Sequence, residues 1–402
     1  MDFDRNDVDA ARERVYKLAY ATPLVEETAL SEQFGGQVLS KLENLQNTGS
    51  FKIRGAANKL LSMDKSKVKG VVAFSAGNHA RGVARAARAA GIPATLVMPL
   101  FAPIAKSAAA QREGGENVRI ILHGNSFDEA MEYALARSEE AGLTVVHPYD
   151  DPAVIAGQGT IGLEILERIG APGSIYVPVG GGGLFAGIAA AIKEAHPSVE
   201  MVAVQAKGAA SLPDSLSAGH PMPGPGAFTI ADGIAVKSPS ERTFEALQRY
   251  ADDVAVVDDE EIAAAMLFAL EDMKTTLEGA GAAALAALMY RRPPKKFPVV
   301  LIHSGGNIDV NFLAQVVERG LFRSGRLLRL RFLVQDRPGS LAGLLAAVAR
   351  ERSSVVSIEH DRLPADCPPG FSMVVLLLET RDRAHGDELI ARLAQQGYPA
   401  VS

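Results

Sequence analysis

The residues Gly180, Gly181, Gly182 and Gly183 form the densest candidate for a binding site. They follow a predicted strand that ends at Val179 and precede a predicted helix that begins at Leu184. Glycine amides carry no Cβ to block a ligand, and the N-terminus of a helix attracts negative charge, so this turn could bind a phosphate group. A flexible or tightly packed turn is the alternative interpretation.

A dinucleotide site is a sharper competitor, because Gly181, Gly183 and Ala186 satisfy the pattern G-x-G-x-x-A. That site also needs an acidic residue about 20 positions further on to hold the ribose hydroxyls. Here the next predicted strand, 199–204, is followed by Gln205. A phosphate without an adenosine ribose therefore fits the glycine turn better.

Lys52 lies in the segment 47–55, where Ser and Thr caps precede a helix predicted to begin near Ser50. In the first turn of that helix, the backbone dipole would disfavour an ammonium ion. A lysine amine that is kept uncharged can form a Schiff base. A solvated surface lysine is the alternative on spacing alone, and the apolar neighbours Phe51 and Ile53 weaken it.

Two further polar turns follow predicted strands. In the segment 75–80, Ser75 and the free backbone amides could hold a carboxylate, and the Asn78 amide could donate to an oxygen on a bound ring. N-capping explains Ser75 equally well, and we interpret His79 as structural rather than as a general base. The segment 303–307 repeats the plan of strand, small polar residue, glycines and helix.

The elements that must position these turns alternate between strand and helix through the first 320 residues. Predicted strands at 70–74, 94–98, 119–122, 144–147, 174–179, 199–204 and 299–303 are interleaved with predicted helices at 80–90, 126–141, 184–195 and 309–319. This alternation is typical of an α/β fold with mainly parallel sheets and helices on both faces. Ligands bind such sheets at the carboxyl ends of the strands, where the turns above lie.

The chain beyond residues 319–326 has a different composition, because Lys295 and Lys296 are the last lysines. The tail is predicted to form a strand at 328–334, a helix at 340–351, strands at 354–363 and 371–379, a helix at 386–396 and a very short terminal segment. This βαββα(β) order is the ferredoxin-like plan.

Composition excludes several classes of protein. The chain of 402 residues has 41 basic and 47 acidic side chains, so no basic excess exists to bind a nucleic acid. No apolar run reaches the length of about 18 residues that a membrane helix needs, so we expect a soluble protein without a membrane partner. Residues 1–14 lack a secretory signal, which favours the cytoplasm. The single cysteine, Cys367, excludes an intramolecular disulfide.

Taken together, the motifs resemble those of pyridoxal-phosphate-dependent threonine ammonia-lyases, in the medium-length form with a C-terminal ACT domain. The resemblance is carried by Ser50-Phe51-Lys52-Ile53-Arg54-Gly55-Ala56, Ser75-Ala76-Gly77-Asn78-His79-Ala80, Gly180-Gly181-Gly182-Gly183-Leu184 and Ser304-Gly305-Gly306-Asn307. Further landmarks are Thr22-Pro23-Leu24, Glu278-Gly279-Ala280-Gly281-Ala282 and, in the tail, Asp336-Arg337-Pro338-Gly339-Ser340-Leu341.

The resemblance implies a fold-type II pyridoxal-phosphate enzyme, similar to the tryptophan synthase β subunit, with two open twisted sheets. Residues 1–322 would form the catalytic domain, with a large lobe at about 1–45 and 148–322 and a small lobe at about 46–147. Residues 327–402 would form a ferredoxin-like ACT regulatory domain. A homodimer or homotetramer is expected.

The same resemblance assigns roles to individual residues. Lys52 would hold the cofactor as a Schiff base and remove the substrate Cα proton, and Ser75 is a second candidate catalytic residue. The residues implied in cofactor binding are Lys52, Phe51, Asn78 at the ring hydroxyl, Gly180, Gly181, Gly182, Gly183 and Leu184 at the phosphate, and Ser304 at the pyridine nitrogen. Those implied in substrate binding are Ser75, Ala76, Gly77 and Asn78, and those implied in effector binding are Asp336, Gly339 and Ser340.

The implied reaction converts L-threonine to 2-oxobutanoate and ammonia, and L-serine to pyruvate, under regulation by a small amino acid at the tail. Gln205 and Ser211 stand where related racemases place acidic metal ligands, so no Mg²⁺ site is expected, although carbonyl oxygens could hold a monovalent cation. The alternatives are a serine racemase or hydroxyaspartate dehydratase or racemase on the same fold, and a non-catalytic amino-acid sensor. A tail that serves only in oligomerisation is the alternative to regulation, and the residues do not distinguish isoleucine synthesis from threonine degradation.

Overall fold

The computed structural model describes residues 2–362 and 367–401, and its contacts divide the chain into two units, Met1–Ile308 and Asp309–Ser402. The predicted boundary after residue 322 lies later than this division. The reason is a helix that runs unbroken over Val310–Arg323 and lies against the first strand of the second unit. Among the residues described, no helix is both long enough and apolar enough to cross a membrane.

The helices of the described residues are numbered in chain order. They are α1 (Arg5–Val15), α2 (Thr28–Phe34), α3 (Lys52–Leu61), α4 (Asn78–Ala90), α5 (Ile104–Gly114), α6 (Phe127–Ala141), α7 (Pro152–Ile169), α8 (Gly183–Lys193), α9 (Leu212–Ala218), α10 (Glu241–Tyr250), α11 (Asp259–Glu271), α12 (Gly279–Ala286), α13 (Val310–Arg323), α14 (Ser340–Arg350) and α15 (Arg383–Gln395).

The strands are numbered in the same way. They are β1 (Leu24–Glu26), β2 (Val38–Leu42), β3 (Val71–Phe74), β4 (Ala94–Met98), β5 (Val118–Leu122), β6 (Thr144–Val145), β7 (Ser174–Pro178), β8 (Glu200–Ala206), β9 (Asp253–Val257), β10 (Val299–His303), β11 (Leu327–Gln335), β12 (Ser354–Asp361), β13 (Phe371–Glu379) and β14 (Ala400–Val401).

A four-stranded parallel sheet in the order β5-β4-β3-β6 forms the smaller lobe of the first unit. Successive side chains of a strand point to opposite faces. Accordingly, Val71 and Ala73 of β3 pack in the core that contains α4, whereas Val72 and Phe74 pack on the other side with α6. Helices therefore cover both faces of this sheet, as the alternating pattern predicted.

A six-stranded sheet in the order β1-β2-β10-β7-β8-β9 forms the larger lobe, and all of its strand pairs are parallel except β1 with β2. Every residue of β7 is buried, which is the pattern of a strand covered on both faces. The two sheets confirm the predicted α/β architecture.

Buried charges tie α3 to the larger lobe. The Arg54 guanidinium donates from Nε and Nη2 to the two carboxylate oxygens of Glu43, both at 2.7 Å, and from Nη1 to Glu164 at 2.6 Å. Lys41 also donates to Glu164, so two basic and two acidic side chains balance within the cluster. Ion pairs out of water are stable only when their hydrogen bonds are satisfied, so this cluster fixes the position of α3 and of Lys52 at its start.

The second unit contains an antiparallel sheet in the order β12-β13-β11-β14, with α14 and α15 between its strands in sequence. This is the predicted ferredoxin-like plan. Its core includes Phe332, Leu344, Leu376 and Leu389. The predicted strand 354–363 is observed as far as Asp361, and its last predicted residue, Leu363, lies outside the described residues.

Candidate active site

Lys52 is the first residue of α3, and its Nζ donates a hydrogen bond to the carbonyl oxygen of Pro148 at 2.8 Å. Burial around the amine lowers the pKa of Lys52 to about 8, against the opposing influence of the negative charge of Glu278. The pKa of Lys52 is therefore lowered, as the sequence predicts, but the cause is desolvation rather than the helix dipole. The predicted Ser or Thr cap is wrong, because the N-cap is Phe51 and it makes no side-chain capping bond within the described residues.

The glycine turn lies between β7 and α8, and Gly182 adopts a left-handed conformation with φ of 92°. A Cβ on Gly181 would overlap the ring of Tyr149, and one on Gly183 would lie 2.8 Å from the Tyr149 carbonyl oxygen. The turn is therefore tightly packed on the side of Tyr149, so packing accounts for part of the glycine run, as the alternative interpretation predicts. The first amides of a helix have no partner within the helix, so the start of α8 offers donors to an anion.

The segment Pro148-Tyr149 brings Lys52 and the glycine turn together. Pro148 accepts the hydrogen bond from Lys52 Nζ, and the next residue, Tyr149, packs against Gly181 and Gly183. Lys52, predicted to form a Schiff base, therefore lies at the same segment as the glycine turn, predicted to bind a phosphate.

Ser75 follows β3, and its hydroxyl accepts a hydrogen bond from the backbone N–H of Gly77 at 3.1 Å. Helix α4 begins at Asn78 with Gly77 as its N-cap, so Ser75 is not the capping residue. A Cβ on Gly77 would meet no heavy atom within 4 Å among the described residues. Ser75, Ala76 and Gly77 therefore form a turn with open space beside it, which suits a carboxylate ligand.

His79 is the neighbouring residue that could have served as a general base. It is buried, its Nε2 lies 2.8 Å from the carbonyl oxygen of Val146, and burial lowers its pKa to about 3. Its environment is that of a structural histidine.

Ser304 follows β10 and is buried. Its carbonyl oxygen accepts a hydrogen bond from the backbone N–H of Phe51 at 3.1 Å, and Gly306 N–H donates to Gly49 at 2.9 Å. The Ser304 turn is thus bonded to the residues just before Lys52. The structure therefore links the glycine turn and the Ser304 turn to Lys52 and the residues just before it.

Glu278 is a site residue to which the sequence assigned no role beyond that of a landmark. It is buried at the N-cap of α12, and its Oε1 accepts a hydrogen bond from Asn78 Nδ2 at 2.6 Å. Burial, assisted by the charge of Asp232, raises the pKa of Glu278 to about 7. The sequence signal that could have identified Glu278 is a single acidic residue before a run of glycine and alanine.

Gln205, which stands where related racemases place an acidic metal ligand, uses its side-chain oxygen within the protein. Its Oε1 accepts from the backbone N–H groups of Ser211 at 3.1 Å and Leu212 at 2.7 Å. Over the residues that the structure covers, no group of three or more His, Cys, Asp or Glu side chains could hold a metal ion.

The predicted effector residues lie in the second unit, beside a cavity of about 420 Å³. Asp336, Gly339 and Ser340 line it together with Arg362, which forms an ion pair with Asp336 at 2.9 Å. Gly339 has φ of 92° and is the N-cap of α14, where no side chain in the described part of the chain caps the helix. The cavity thus combines a carboxylate with the N-terminal end of a helix.

The donor set of the first unit fits pyridoxal phosphate. The packed glycine turn offers amides to a phosphate, Lys52 offers an amine that is readily uncharged, and Asn78 and Ser304 offer polar groups for a ring. Residues 15–305 match the family described as pyridoxal-phosphate dependent enzyme. The chain belongs to this family, and its fold is that of the fold-type II members.

Similar proteins extend the match beyond these residues. An L-threonine ammonia-lyase from Thermotoga maritima is 45% identical over 98% of this chain and 97% of its own length, so that match includes the second unit. The processed form of threonine deaminase isoform 2 from Solanum lycopersicum is 38% identical, with a TM-score of 0.73 over 78% of this chain and 86% of that one. Maize serine racemase is 34% identical, with a TM-score of 0.74 over 80% of this chain and 99% of that one.

Proposed function

We propose that this enzyme is an L-threonine ammonia-lyase that releases 2-oxobutanoate and ammonia, and that it also converts L-serine to pyruvate. The observation that carries the proposal is the position of Lys52: its amine donates to Pro148, and the next residue, Tyr149, packs against the glycine turn. Phe51, the residue before Lys52, is hydrogen-bonded to the Ser304 turn. The choice of threonine is supported by the Thermotoga maritima relative, which matches nearly the whole chain.

In this proposal, Lys52 binds the cofactor covalently, and Gly180, Gly181, Gly182, Gly183 and Leu184 bind its phosphate. Asn78 contacts the ring hydroxyl, Ser304 the ring nitrogen, and Phe51 borders the ring, since its own ring centroid lies 5.0 Å from Lys52 Nζ. A neutral serine at the ring nitrogen does not hold a proton there as a carboxylate would.

When bound, pyridoxal phosphate withdraws electrons from the substrate Cα and so makes the Cα proton acidic. In the turn that contains Ser75, Ala76, Gly77 and Asn78, the backbone N–H groups of Ser75 and Gly77 already donate to Val97 and to the Ser75 hydroxyl. Those of Ala76 and Asn78 would hold the substrate carboxylate. Lys52 then takes the Cα proton at Nζ, for which a pKa of about 8 is well suited because a base works best near the working pH. The electron pair left at Cα would expel the β-hydroxyl, which would take up the proton held on Lys52 Nζ and leave as water. The released aminocrotonate would then hydrolyse to 2-oxobutanoate and ammonia.

The test is to assay purified protein for 2-oxobutanoate from threonine and for pyruvate from serine, and to record its visible absorbance. We expect both products and a yellow protein whose colour is lost in Lys52→Ala. The matched control is Lys67→Ala, which removes a lysine whose side chain is 81% exposed. A colourless wild-type protein would refute the enzyme and support the non-catalytic sensor instead.

A serine racemase is the second candidate, supported by the similarity to maize serine racemase. The Ser75 hydroxyl lies beside the open side of Gly77, where a second acid or base could act, but an ammonia-lyase can carry the same serine, so Ser75 does not decide between the two. Incubation with each serine enantiomer separates the two activities. If D-serine accumulates faster than pyruvate forms from L-serine, the ammonia-lyase assignment is wrong.

The second unit is proposed to be an ACT regulatory domain that binds a small amino acid such as isoleucine or valine. The Gly339 backbone amide and the Ser340 hydroxyl would bind the effector carboxylate, since the Ser340 N–H already donates to the Arg337 carbonyl oxygen. Asp336 would bind the effector ammonium group in competition with Arg362. Calorimetry on the full chain should show binding that Asp336→Asn abolishes and the surface change Asp387→Asn preserves. If no candidate amino acid gives heat, the second unit would have only a role in oligomerisation. Sedimentation can then measure whether the protein is a dimer or a tetramer.

A further inference from the structure

A chain of side-chain hydrogen bonds runs through Asn78 and joins segments that are far apart in sequence. Arg81 Nη1 donates to Asn307 Oδ1, Asn307 Nδ2 donates to Asn78 Oδ1 at 2.7 Å, and Asn78 Nδ2 donates to Glu278 Oε1 at 2.6 Å. Asn307 Nδ2 also donates to the carbonyl oxygen of Thr48 at 2.8 Å. The chain therefore passes from α4 to the Ser304 turn, back to α4 and on to the N-cap of α12.

The ends of this chain fix the direction of every bond within it. A guanidinium can only donate, so Asn307 must present its oxygen to Arg81. A backbone carbonyl can only accept, so Asn307 must present its nitrogen to Thr48, which requires the same amide orientation. Asn78 then receives a donor at its Oδ1, and its Nδ2 faces the Glu278 carboxyl group.

The consequence concerns what Asn78 can offer to a ligand. Its Oδ1 already accepts from Asn307, and one proton of its Nδ2 is given to Glu278. The second Nδ2 proton is the donor that remains for a ligand. A donor at a ring oxygen stabilises the ionised form of that oxygen and lowers its pKa.

We propose that Glu278 and Asn307 are positioning residues that hold the Asn78 amide with an N–H directed to the ring oxygen of bound pyridoxal phosphate. The proposal rests on the placement of the cofactor ring at Asn78 given above. It assigns to Glu278 and Asn307 an effect on the ionisation of the cofactor, exerted through Asn78 rather than by contact.

Glu278 also carries charge, and the test must separate that charge from its role as an acceptor. The ionisable groups that interact with Glu278 are Lys52, Asp232 and Lys106. Glu278→Gln removes the charge and keeps an oxygen in place for Asn78. Glu278→Leu removes both the charge and the acceptor at similar volume, so the comparison of Leu with Gln isolates the hydrogen bond.

The experiment titrates cofactor-free protein with pyridoxal phosphate and follows the visible absorbance of the bound cofactor from pH 6 to pH 10, without substrate. Relative to Glu278→Gln, we expect Glu278→Leu to bind the cofactor about tenfold more weakly, as loss of a hydrogen bond of this kind implies. We also expect the pH midpoint of the absorbance change to be higher in Glu278→Leu. Because no substrate is present, the result does not depend on whether threonine is the true substrate.

A double-mutant cycle with Asn78→Ala decides whether Glu278 acts through Asn78. In the Asn78→Ala background, exchange of Gln for Leu at position 278 should leave both the affinity and the midpoint unchanged. If the exchange has the same effect with and without Asn78, Glu278 has only a structural role and the proposal is wrong. Should Glu278→Leu fail to fold, Asn307→Ala replaces it in the same cycle, with the same expected and refuting results.

Discussion

The buried carboxyl group of Glu278 should make the cofactor-free protein less stable as the pH rises. Its pKa is raised from 4.5 to about 7, so between these values the folded protein holds a proton that the unfolded chain has lost. Stability supplied by such a group is present below pH 4.5 and is lost as the pH rises to about 7. Glutamine has nearly the same shape and no such proton to lose.

The size of the effect follows from the difference between the two pKa values. At about 1.4 kcal/mol for each unit, ionisation of Glu278 costs the folded protein about 3 kcal/mol above pH 7. At pH 5 the cost is about 1 kcal/mol, because most of the folded molecules still carry the proton. The positive charge of Lys52, where present, offsets part of the cost, so the figure is an upper bound.

The assay is urea unfolding of cofactor-free wild type and Glu278→Gln at pH 5 and at pH 8. The measured quantity is the free energy of unfolding of Glu278→Gln minus that of wild type. We expect this difference to be about 2 kcal/mol larger at pH 8 than at pH 5. Glu13→Gln, at a side chain that is 85% exposed, is the control for loss of a surface carboxylate. An equal difference between variant and wild type at the two pH values would refute the reasoning.

Three other predictions follow from the geometry of the site. The rate at which pyridoxal phosphate attaches to cofactor-free protein should rise with pH up to about pH 8 and then level off, because only the neutral Lys52 amine reacts. Stopped-flow absorbance measures this rate, and a rate independent of pH would contradict the prediction. Gly77→Ala should raise the KM for threonine without lowering the melting temperature, because the added Cβ meets nothing within 4 Å among the described residues. Gly181→Ala should instead weaken cofactor binding, because its Cβ would overlap Tyr149. Equal behaviour of the two variants in both assays would be evidence against the assignment of the turns. Arg54→Lys should cost about 2 kcal/mol or more in the free energy of unfolding, because lysine cannot reproduce the paired hydrogen bonds of the guanidinium, and an unchanged melting temperature would contradict that.

The elements around the site were predictable because their strands are buried on both faces. The strand β7 is continuously apolar apart from Ser174, ends at the glycine run and precedes a helix, so the sequence reveals strand, turn and helix in order. The boundary between the two units was harder to predict. The boundary was predicted after residue 322, near the end of α13 at Arg323, whereas the contacts of α13 with β11 place this helix in the second unit.

The cause of the lowered Lys52 pKa could not be predicted from spacing, although its direction could. A helix start can be recognised from nearby residue types, whereas burial depends on segments that fold over the lysine. Pro148 lies 96 residues away in sequence and yet accepts the hydrogen bond from Lys52 Nζ. Desolvation by such distant segments dominates the shift.

The same limit applies to Glu278, for which the sequence motif indicates no role. Its hydrogen-bond partner Asn78 is 200 residues away, and no spacing rule connects the two positions. What brings them together is close backbone packing: a Cβ on Gly281 would overlap the carbonyl oxygen of Gly305, and one on Gly305 would overlap the Glu278 carboxyl group. The sequence shows that these positions are glycine, but it does not show which other segment of the chain packs against each of them. Local motifs can therefore indicate candidate ligand-binding residues, whereas candidates for orienting them through distant contacts can be recognised only in the folded chain.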